Sequence, residues 1–250
     1  MGFNIAIDGP AGAGKSTIAK KIAEKLGFIY VDTGAMYRAI GLYLLRAGVP
    51  YDDAQAVEDA IREIQISIAY QNGEQQVLLN GENVSAQIRT EEVGNMASKT
   101  SQYPAVRVKL LELQRQLAAS ADVLMDGRDI GTCILPNADL KIYLTADPRV
   151  RAKRRYLELT EKGISCNIEE IEKDIIERDL RDTTREVAPL KKAEDAVEVD
   201  TSHPVSYTHL GIAGSSASFS VWGDGEFYEA CCDCRRRSGR DAGSHRRFRP

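Results

Sequence analysis

Short apolar runs alternate with helical stretches over residues 1–202. The apolar runs lie at residues 3–7, 28–31, 123–125, 140–144 and 197–199. Between most of them, apolar residues recur every three or four positions, as they do on one face of a helix. Short buried strands separated by helices are typical of a parallel sheet that is covered on both faces. The pattern therefore predicts an α/β fold built on a parallel sheet.

One segment follows a different period. Apolar and polar residues alternate over 64–70, and a second apolar run covers 76–79. The dipeptide Asn72-Gly73 lies between the two runs and is a strong signal for a hairpin turn. We therefore expect a β-hairpin here, within a small insert on the parallel core at about residues 58–98.

The composition changes near residue 203. Residues 203–250 contain no lysine, all three histidines and the only tryptophan, and their only Leu or Ile residues are Leu210 and Ile212. No helical or strand periodicity runs through them, and Pro204 disfavours a helix that passes through it. Burying so little apolar area does not compensate for the conformational entropy that the segment would lose on folding. We expect residues 1–202 to form the folded domain and residues 203–250 to be a disordered or foreign tail.

The bulk composition narrows the classes of function. The chain is 43% hydrophobic and 28% charged, with a net charge of −4, which is ordinary for a soluble globular protein. This balance argues against a broad basic surface for nucleic acid, although the arginines of the tail leave a nucleic-acid binder open. No apolar run approaches the ~20 residues that span a bilayer, and no signal peptide is evident. We expect a cytoplasmic protein that binds neither nucleic acid nor membrane.

The cysteines give little further information. Cys133 and Cys166 stand alone in regular segments, and we interpret both as reduced thiols. The other three lie in the tail, where a zinc site is open as an alternative, although its spacing matches no standard zinc finger. That site would use Cys231, Cys232, Cys234 and His245.

The strongest chemical signal lies between the first strand and the first helix. Residues 9–16 read Gly-Pro-Ala-Gly-Ala-Gly-Lys-Ser and match the pattern G-x-x-x-x-G-K-[ST]. Backbone N–H groups of such a loop surround phosphate oxygens, and the helix N-terminus adds partial positive charge. We expect Lys15, as a solvated loop residue, to reach the β- and γ-phosphates, and Ser16 to ligate Mg²⁺. A glycine-rich turn without a ligand is the alternative. The predicted nucleotide-binding segment is Gly9, Pro10, Ala11, Gly12, Ala13, Gly14, Lys15, Ser16 and Thr17.

A polar cluster follows the second strand. Strand ends at this edge of a doubly wound sheet face the ligand crevice. Thr33 and Arg38 could hold a second phosphate there. In the alternative interpretation, Asp32 or Thr33 only caps the next helix and Arg38 is solvated.

A second polar cluster, Asp126-Gly127-Arg128-Asp129, follows the strand at 123–125. A carboxylate that ends a buried strand beside a phosphate loop often organises Mg²⁺ or its waters. Arg128 and Asp129 would then project into the crevice. A turn with a surface ion pair is the alternative, and such a pair contributes little stability.

A basic cluster opens the helix after residue 148, and a second helix is predicted at about 168–183. Its apolar residues Ile168, Ile171 and Ile175 predict a buried face. Arg178, Asp182 and Arg185 would share one polar stripe if the helix continues as far as Arg185. Two helices that are joined by a mobile turn and rich in arginine suggest a lid over phosphates. A charged pair of solvent-exposed helices is the alternative. The basic cluster comprises Arg149, Arg151, Lys153, Arg154 and Arg155.

Together these segments resemble the bacterial-type cytidylate kinases, a family of nucleoside monophosphate kinases among the P-loop kinases. The resemblance spans residues 3 to about 202. It implies a five-stranded parallel sheet of the P-loop NTPase type with helices on both faces. It also implies a small β-containing insert that grips the monophosphate, and a helical lid at about 149–185. The stretches that carry it are residues 7–17, 32–38, 88–93, 125–132, 177–182 and 185–190.

The resemblance also implies site residues. The residues expected to contact the nucleoside monophosphate are Thr33, Arg38, Ser98, Arg107, Arg128, Asp129, Arg178, Asp182 and Arg185. Ser98, Arg107 and Asp129 would read the base. The candidate catalytic residues, which would stabilise charge during transfer, are Lys15, Arg128, Arg178 and Arg185.

The activity implied by the resemblance is the ATP- and Mg²⁺-dependent phosphorylation of CMP and dCMP to CDP and dCDP, by a monomer. Another small-molecule P-loop kinase is the alternative. A GTPase-like switch would need a guanine-reading Asn-Lys-x-Asp, which the chain lacks. The tail departs from the family, whose members follow the segment matching residues 199–202 with an amphipathic closing helix.

Overall fold

The computed structural model describes residues 2–202, 210–211, 218–223 and 226–231, the last three segments by their backbone. The strands up to residue 202 are β1 (Asn4–Asp8), β2 (Ile29–Asp32), β3 (Ile66–Gln71), β4 (Glu74–Leu79), β5 (Glu82–Asn83), β6 (Val123–Gly127), β7 (Leu140–Thr145) and β8 (Val197–Asp200). The helices are α1 (Lys15–Leu26), α2 (Thr33–Arg46), α3 (Ala54–Arg62), α4 (Glu91–Thr100), α5 (Pro104–Ser120), α6 (Pro148–Glu161) and α7 (Ile168–Thr184).

The central sheet has five parallel strands in the order β2-β6-β1-β7-β8. Successive side chains of a strand point to opposite faces, so the apolar run in β1 serves two cores. Ala6 packs in the core that includes α2 and α5, whereas Ile5 and Ile7 pack in the core that includes α1. Both faces are therefore covered by helices. The predicted α/β class and parallel sheet are confirmed, and each of the five strand predictions lies within one residue of the observed start.

The hairpin prediction is also confirmed. β3 and β4 pair antiparallel around Asn72 and Gly73, whose φ angles are 53° and 79°. Positive φ at both central residues is the geometry that makes Asn-Gly favourable in a hairpin. A short third strand, β5, pairs with β4 and was not expected. The Gln75 side chain accepts a 2.8 Å hydrogen bond from Asp32 N and donates a 3.1 Å bond to Asp32 O, which joins this small sheet to β2.

Helices α6 and α7 pack together and are joined by a turn in which Gly163 has a φ of 73°. The predicted apolar face of α7 is only half-buried at Ile168, Ile171 and Ile175. The one buried residue of α7 is Asp182. The prediction of a buried apolar face on α7 was therefore wrong. The most buried side chain of this helix is the Asp182 carboxylate, which contacts a polar partner.

Three further strands follow residue 202. Leu210–Gly211, Ser218–Gly223 and Glu226–Cys231 form an antiparallel sheet, numbered β9, β10 and β11. The search for strand periodicity did not find these strands, because counting Leu and Ile gave no weight to two β-favouring runs separated by the dipeptide Asp224-Gly225, a hairpin signal. That residues 203–250 are a disordered or foreign tail stays a prediction. The other tail residues, with the proposed zinc ligands Cys232, Cys234 and His245, lie outside the described residues.

Within the described residues, the helices include none that combines the length and the apolar character needed to cross a membrane.

Candidate active site

A cleft of about 250 Å³ lies at the carboxyl ends of β1, β2 and β6. It brings together every predicted substrate residue, from four separate parts of the chain. The predicted residues that line it are Ala11, Gly12, Lys15, Ser16, Thr33, Arg38, Ser98, Arg107, Arg128, Asp129, Arg178, Asp182 and Arg185. The remaining residues of the predicted nucleotide-binding segment shape the loop at its edge.

The phosphate-type loop depends on its glycines. Gly9 has a φ of 147°, and a Cβ there would lie 1.9 Å from the carbonyl oxygen of Leu144, so only glycine fits. Gly14 has a φ of 87° at the start of α1. The backbone thus bends sharply after β1 and directs the first amides of α1 toward the cleft, where they would stabilise an anion.

Lys15 is buried rather than solvated, so that part of the expectation was wrong. Its Nζ donates to the carbonyl oxygen of Pro10 at 2.8 Å, within the same loop. Burial, together with the positive charge of Arg128, holds the pKa of the Lys15 ammonium well below its usual value. An arriving phosphate would relieve this unfavourable environment, because a negative charge favours the protonated form.

Ser16 and Asp126 bring a hydroxyl and a carboxylate together at the start of α1, as oxygen donors for a metal. Ser16 Oγ donates to Asp126 Oδ2 at 2.8 Å, and Tyr30 donates to Asp126 Oδ1 at 3.1 Å. Burial and the nearby Asp32 carboxylate raise the pKa of Asp126. A hydroxyl and a carboxylate suit Mg²⁺, which binds few protein oxygens and keeps several waters. These residues therefore fit the metal that the family implies.

Asp8, at the end of β1, was missed by the sequence analysis. Its two carboxylate oxygens each accept a 2.7 Å hydrogen bond, from the backbone N–H groups of Ile130 and Gly131. These amides begin a π-helical turn, Ile130–Ile134, directly after Asp129. Burial raises the pKa of Asp8 to about 6, although the two N–H groups oppose this. Asp8 thus fixes the turn that directly follows the second polar cluster.

The capping interpretation of the cluster after β2 is confirmed for Asp32, whereas a phosphate site at Thr33 and Arg38 stays a prediction. Asp32 caps α2 by accepting from Ala35 N at 2.9 Å, as the capping alternative predicted. Thr33 Oγ1 donates to the carbonyl of Asp126 at 2.7 Å and lines the cleft.

Arg38 is not simply solvated. It donates two 3.0 Å hydrogen bonds, to the carbonyl oxygens of Ile88 and Thr90. A Cβ at Gly94 would lie 2.8 Å from the Arg38 guanidinium, so the glycine makes room for it. Arg38 is therefore fixed at the wall of the cleft.

Asp129 is held between two arginines. Arg107 forms a very short ion pair with one carboxylate oxygen, and Arg185 Nη2 lies 3.2 Å from the other. Burial raises the pKa of the Asp129 carboxyl, and the two arginines oppose that shift. Ser98, whose Oγ is buried with no partner among the described residues, lines the same part of the cleft. The three residues expected to read the base are thus brought together, with one hydrogen-bonding group free.

Arg128 and Asp182 join β6 to α7. Arg128 Nε donates to Asp182 Oδ2 at 2.9 Å. Burial opposes ionisation of Asp182, but Arg128 and Arg178 outweigh it and hold the pKa of this carboxyl below its usual value. Arg178 is half-buried, and its buried Nε has no partner among the described residues. Burial and Arg128 lower the Arg178 pKa to about 10, so this site carries excess positive charge that suits a phosphate.

The cleft also contains residues that the sequence analysis did not assign to substrate. Arg89 pairs with Asp32 at 3.2 Å, and Tyr37 places its ring 5.8 Å from the Arg107 guanidinium. The stretch 88–93, which carried part of the resemblance, was a signal for Arg89. Tyr37 had the same kind of signal, because it lies in the stretch 32–38, which also carried part of the resemblance.

Comparison with known proteins agrees with this geometry. A model of the cytidylate kinase family matches residues 5–207. A cytidylate kinase of Lactobacillus gasseri is 51% identical over 201 residues, 80% of this chain and 87% of the relative. One of Caldicellulosiruptor saccharolyticus is 50% identical over 201 residues, 80% of this chain and 89% of the relative.

Among solved structures, a gluconokinase from Sinorhizobium meliloti 1021 is similar with a TM-score of 0.39 and 16% identity, over 81% of this chain and 84% of that one. The assignment rests on the sequence relatives, which cover nearly all of the segment that forms the parallel sheet and the cleft. The chain belongs to the cytidylate kinase family.

Proposed function

We propose that the protein transfers the γ-phosphoryl group of ATP to CMP and dCMP, giving ADP and CDP or dCDP. The observation that carries this proposal is the Asp129 carboxylate held by Arg107 and Arg185 in the same cleft as Lys15. A phosphate-binding loop and a carboxylate suited to a cytosine amine then face one reaction space. No contact favours the alternative of another small-molecule kinase.

The donor nucleotide would bind at the loop. Backbone N–H groups of residues 9–17 would surround its phosphates, and Lys15 would lie against the β- and γ-phosphates. Ser16 and Asp126 would hold Mg²⁺, directly or through its waters. Bound there, the metal would neutralise charge on the β- and γ-phosphates.

The acceptor would bind on the opposite wall. Arg38, Arg128 and Arg178 offer positive charge for its phosphate, and Thr33, Asp182 and Arg185 lie nearby. Cytosine carries an exocyclic amine where uracil carries a carbonyl. Asp129 can accept from that amine but repels a carbonyl, while Arg107 and the free Ser98 hydroxyl can bond the remaining polar edge.

Catalysis by these residues would consist of positioning and charge stabilisation. A phosphate acceptor oxygen is already ionised at neutral pH, so no general base is required. Lys15, Arg128, Arg178 and Arg185 would stabilise the charge on the transferred group. Their burial strengthens this effect, because a water-poor cleft screens charge weakly.

The domain organisation follows the same proposal. Residues 1–202 form the kinase domain, with the insert at about 58–98 on the acceptor side and the lid at about 149–185. Residues 203–250 would be a disordered or foreign tail. That the protein is a cytoplasmic monomer and binds no nucleic acid stays a prediction from the sequence.

The test is a coupled assay of ADP release against a panel of nucleoside monophosphates, with and without Mg²⁺. We expect CMP and dCMP to be preferred over UMP, AMP and GMP, and activity to require the metal. Equal or higher activity with another monophosphate, or activity only with a non-nucleotide acceptor, would reject the assignment.

A further inference from the structure

Arg151 is a buried arginine at the base of the lid, and the base-reading and phosphate-binding assignments do not use it. It lies in the first turns of α6, with a side chain 3% exposed. Its Nε donates to the carbonyl oxygen of Ala146 at 2.9 Å, and its Nη1 donates to the carbonyl oxygen of Ala11 at 3.0 Å. Ala11 belongs to the phosphate-type loop. A lid side chain therefore holds the loop backbone directly.

Asp179 holds Arg151 from α7. Its Oδ1 lies 3.1 Å from Arg151 Nη1, and its Oδ2 lies 2.5 Å from Nη2. This two-point pairing fixes the plane of the guanidinium as well as its position. Asp179 follows Arg178 in α7, and Arg178 lines the cleft. One ion pair thus connects the loop to the helix that carries acceptor-side residues.

The bond to Ala11 has a direct consequence for the next amide. The peptide between Ala11 and Gly12 is trans and planar, so its carbonyl and the Gly12 N–H point in opposite directions. Holding the carbonyl against Arg151 therefore sets the direction of the Gly12 N–H. Gly12 has a φ of 76°, and a Cβ there would lie 3.3 Å from Arg151 Cβ. The loop thus rests on this arginine in a backbone conformation that glycine permits.

We propose that Arg151 and Asp179 are positioning residues for phosphoryl transfer. Their ion pair fixes the orientation of the Ala11–Gly12 peptide so that the loop amides face the donor phosphates. It also fixes the position of the loop relative to α7. This inference rests on the proposed function, in which the loop binds the donor. Neither residue needs to touch substrate for this role.

The test compares Asp179→Asn with Glu172→Gln. Asp179→Asn keeps the shape of the side chain but removes the charge that orients Arg151. Glu172 also joins α6 to α7, through a 3.3 Å bond from Arg149, whose side chain is 84% exposed. The control therefore removes an ion pair between the same two helices, but this pair involves Arg149 and leaves Arg151 and its bond to Ala11 unchanged.

Two readouts are measured on the full chain. Binding of ADP and of CMP is measured separately by calorimetry, and amide hydrogen exchange of residues 9–16 is measured without any nucleotide. For Asp179→Asn we expect ADP to bind roughly tenfold more weakly and the loop amides to exchange faster, because small misplacements of a site are costly. CMP affinity should change by less than about threefold, since Arg128 holds Asp182 independently. Glu172→Gln should match the wild type in both readouts.

A double variant separates positioning from folding. Arg151→Met with Asp179→Leu replaces the pair by apolar groups, which often restores stability. If its ADP affinity recovers together with its melting temperature, the pair is only structural and the proposal is wrong. Equal weakening of ADP and CMP in Asp179→Asn, or unchanged exchange at the loop, also overturns it. The exchange experiment uses no substrate, so a wild type that fails to phosphorylate CMP would reject the proposed function and leave this test intact.

Discussion

Ser16 Oγ donates to Asp126 Oδ2 at 2.8 Å, although the two residues are separated by 110 positions in the chain. The bond joins the first turn of α1 to the end of β6. The same carboxylate accepts a 3.1 Å hydrogen bond from the hydroxyl of Tyr30, which lies within β2. The candidate donor site and the strand that leads to Arg128 and Asp129 are therefore fixed by one side chain.

Lys15→Met should lower kcat at least ~100-fold, because it removes a charge from the place where charge builds up during transfer. The free energy of unfolding should change little, since burial already disfavours the charged lysine. Initial-rate kinetics and urea denaturation measure the two effects. Lys25→Met is the control, because Lys25 lies on the same helix and is exposed. Near-wild-type turnover in folded Lys15→Met would sink the assignment of the loop.

Asp129→Asn should reduce the preference for CMP over UMP, which we expect to be on the order of ten- to a thousandfold in kcat/KM for the wild type. The amide presents a donor where the carboxylate accepts from the cytosine amine. Steady-state kinetics with both monophosphates give the ratio. A folded variant that keeps the full preference for CMP would show that this carboxylate does not read the base.

Asp129→Ala should also unfold more easily, which sequence reasoning alone did not anticipate. Arg107 and Arg185 have side chains 11% and 6% exposed, and both lose their carboxylate partner. Removing one member of a buried ion pair typically costs about 3–5 kcal/mol. Denaturation of both Asp129 variants measures this loss, and a smaller loss for Asp129→Asn is expected because the amide still accepts a hydrogen bond.

Asp8 should make the protein less stable as the pH rises from about 4 to about 6. Its pKa is about 6 in the folded state and near 3.8 when exposed. Between these values the folded state binds more protons than the unfolded state, so unfolding becomes easier as the pH increases. The contribution is on the order of 3 kcal/mol.

Urea denaturation of wild type and Asp8→Asn across this pH range isolates the effect. The difference between their unfolding free energies should change with pH in that window and be flat above about pH 7. Asp126 also has a raised pKa, but it is present in both proteins and cancels in the comparison. Parallel curves for the two proteins would contradict the assignment to Asp8.

Limited proteolysis should cut first just after residue 202 and leave an active fragment. The last strand of the parallel sheet, β8, ends at Asp200, and Thr201 Oγ1 donates to the loop carbonyl of Ala13 at 3.0 Å. Strand β8 and the Thr201 hydrogen bond both lie within residues 1–202, so the fragment would keep them. Mass spectrometry of the first products gives the cleavage site. A tail that resists protease under native conditions would show that residues 203–250 form a domain.

Local patterns were enough to predict the sheet and the hairpin. Apolar runs of three to five residues mark buried strands, and Asn72-Gly73 supplies the positive φ angles that a tight turn needs. The loop and the polar strand ends could likewise be placed at one edge, because the strands are parallel.

Contacts between distant segments could not be predicted in this way. Nothing near Asp8 indicates that it binds the amides of residues 130 and 131, and nothing near Arg151 indicates the carbonyl of Ala11. The burial of Lys15 was missed for the same reason, since the packing that buries it and, together with the charge of Arg128, lowers its pKa involves other elements of the chain. The sequence resemblance supplied the substrate residues, but not the pairs that hold them.

The carboxylate partners of the cleft arginines affect the entropy change when a ligand binds. Arg107, Arg128 and Arg185 are each already bound to a carboxylate before any ligand arrives. The rotamer freedom of an arginine, worth about 2 kcal/mol, is therefore largely lost when the chain folds and not when substrate binds. A nucleotide would meet side chains that are already in place, and its phosphate would compete with Asp182 for Arg128 and with Asp129 for Arg185. Binding becomes an exchange of anionic partners, with little ordering left to be done.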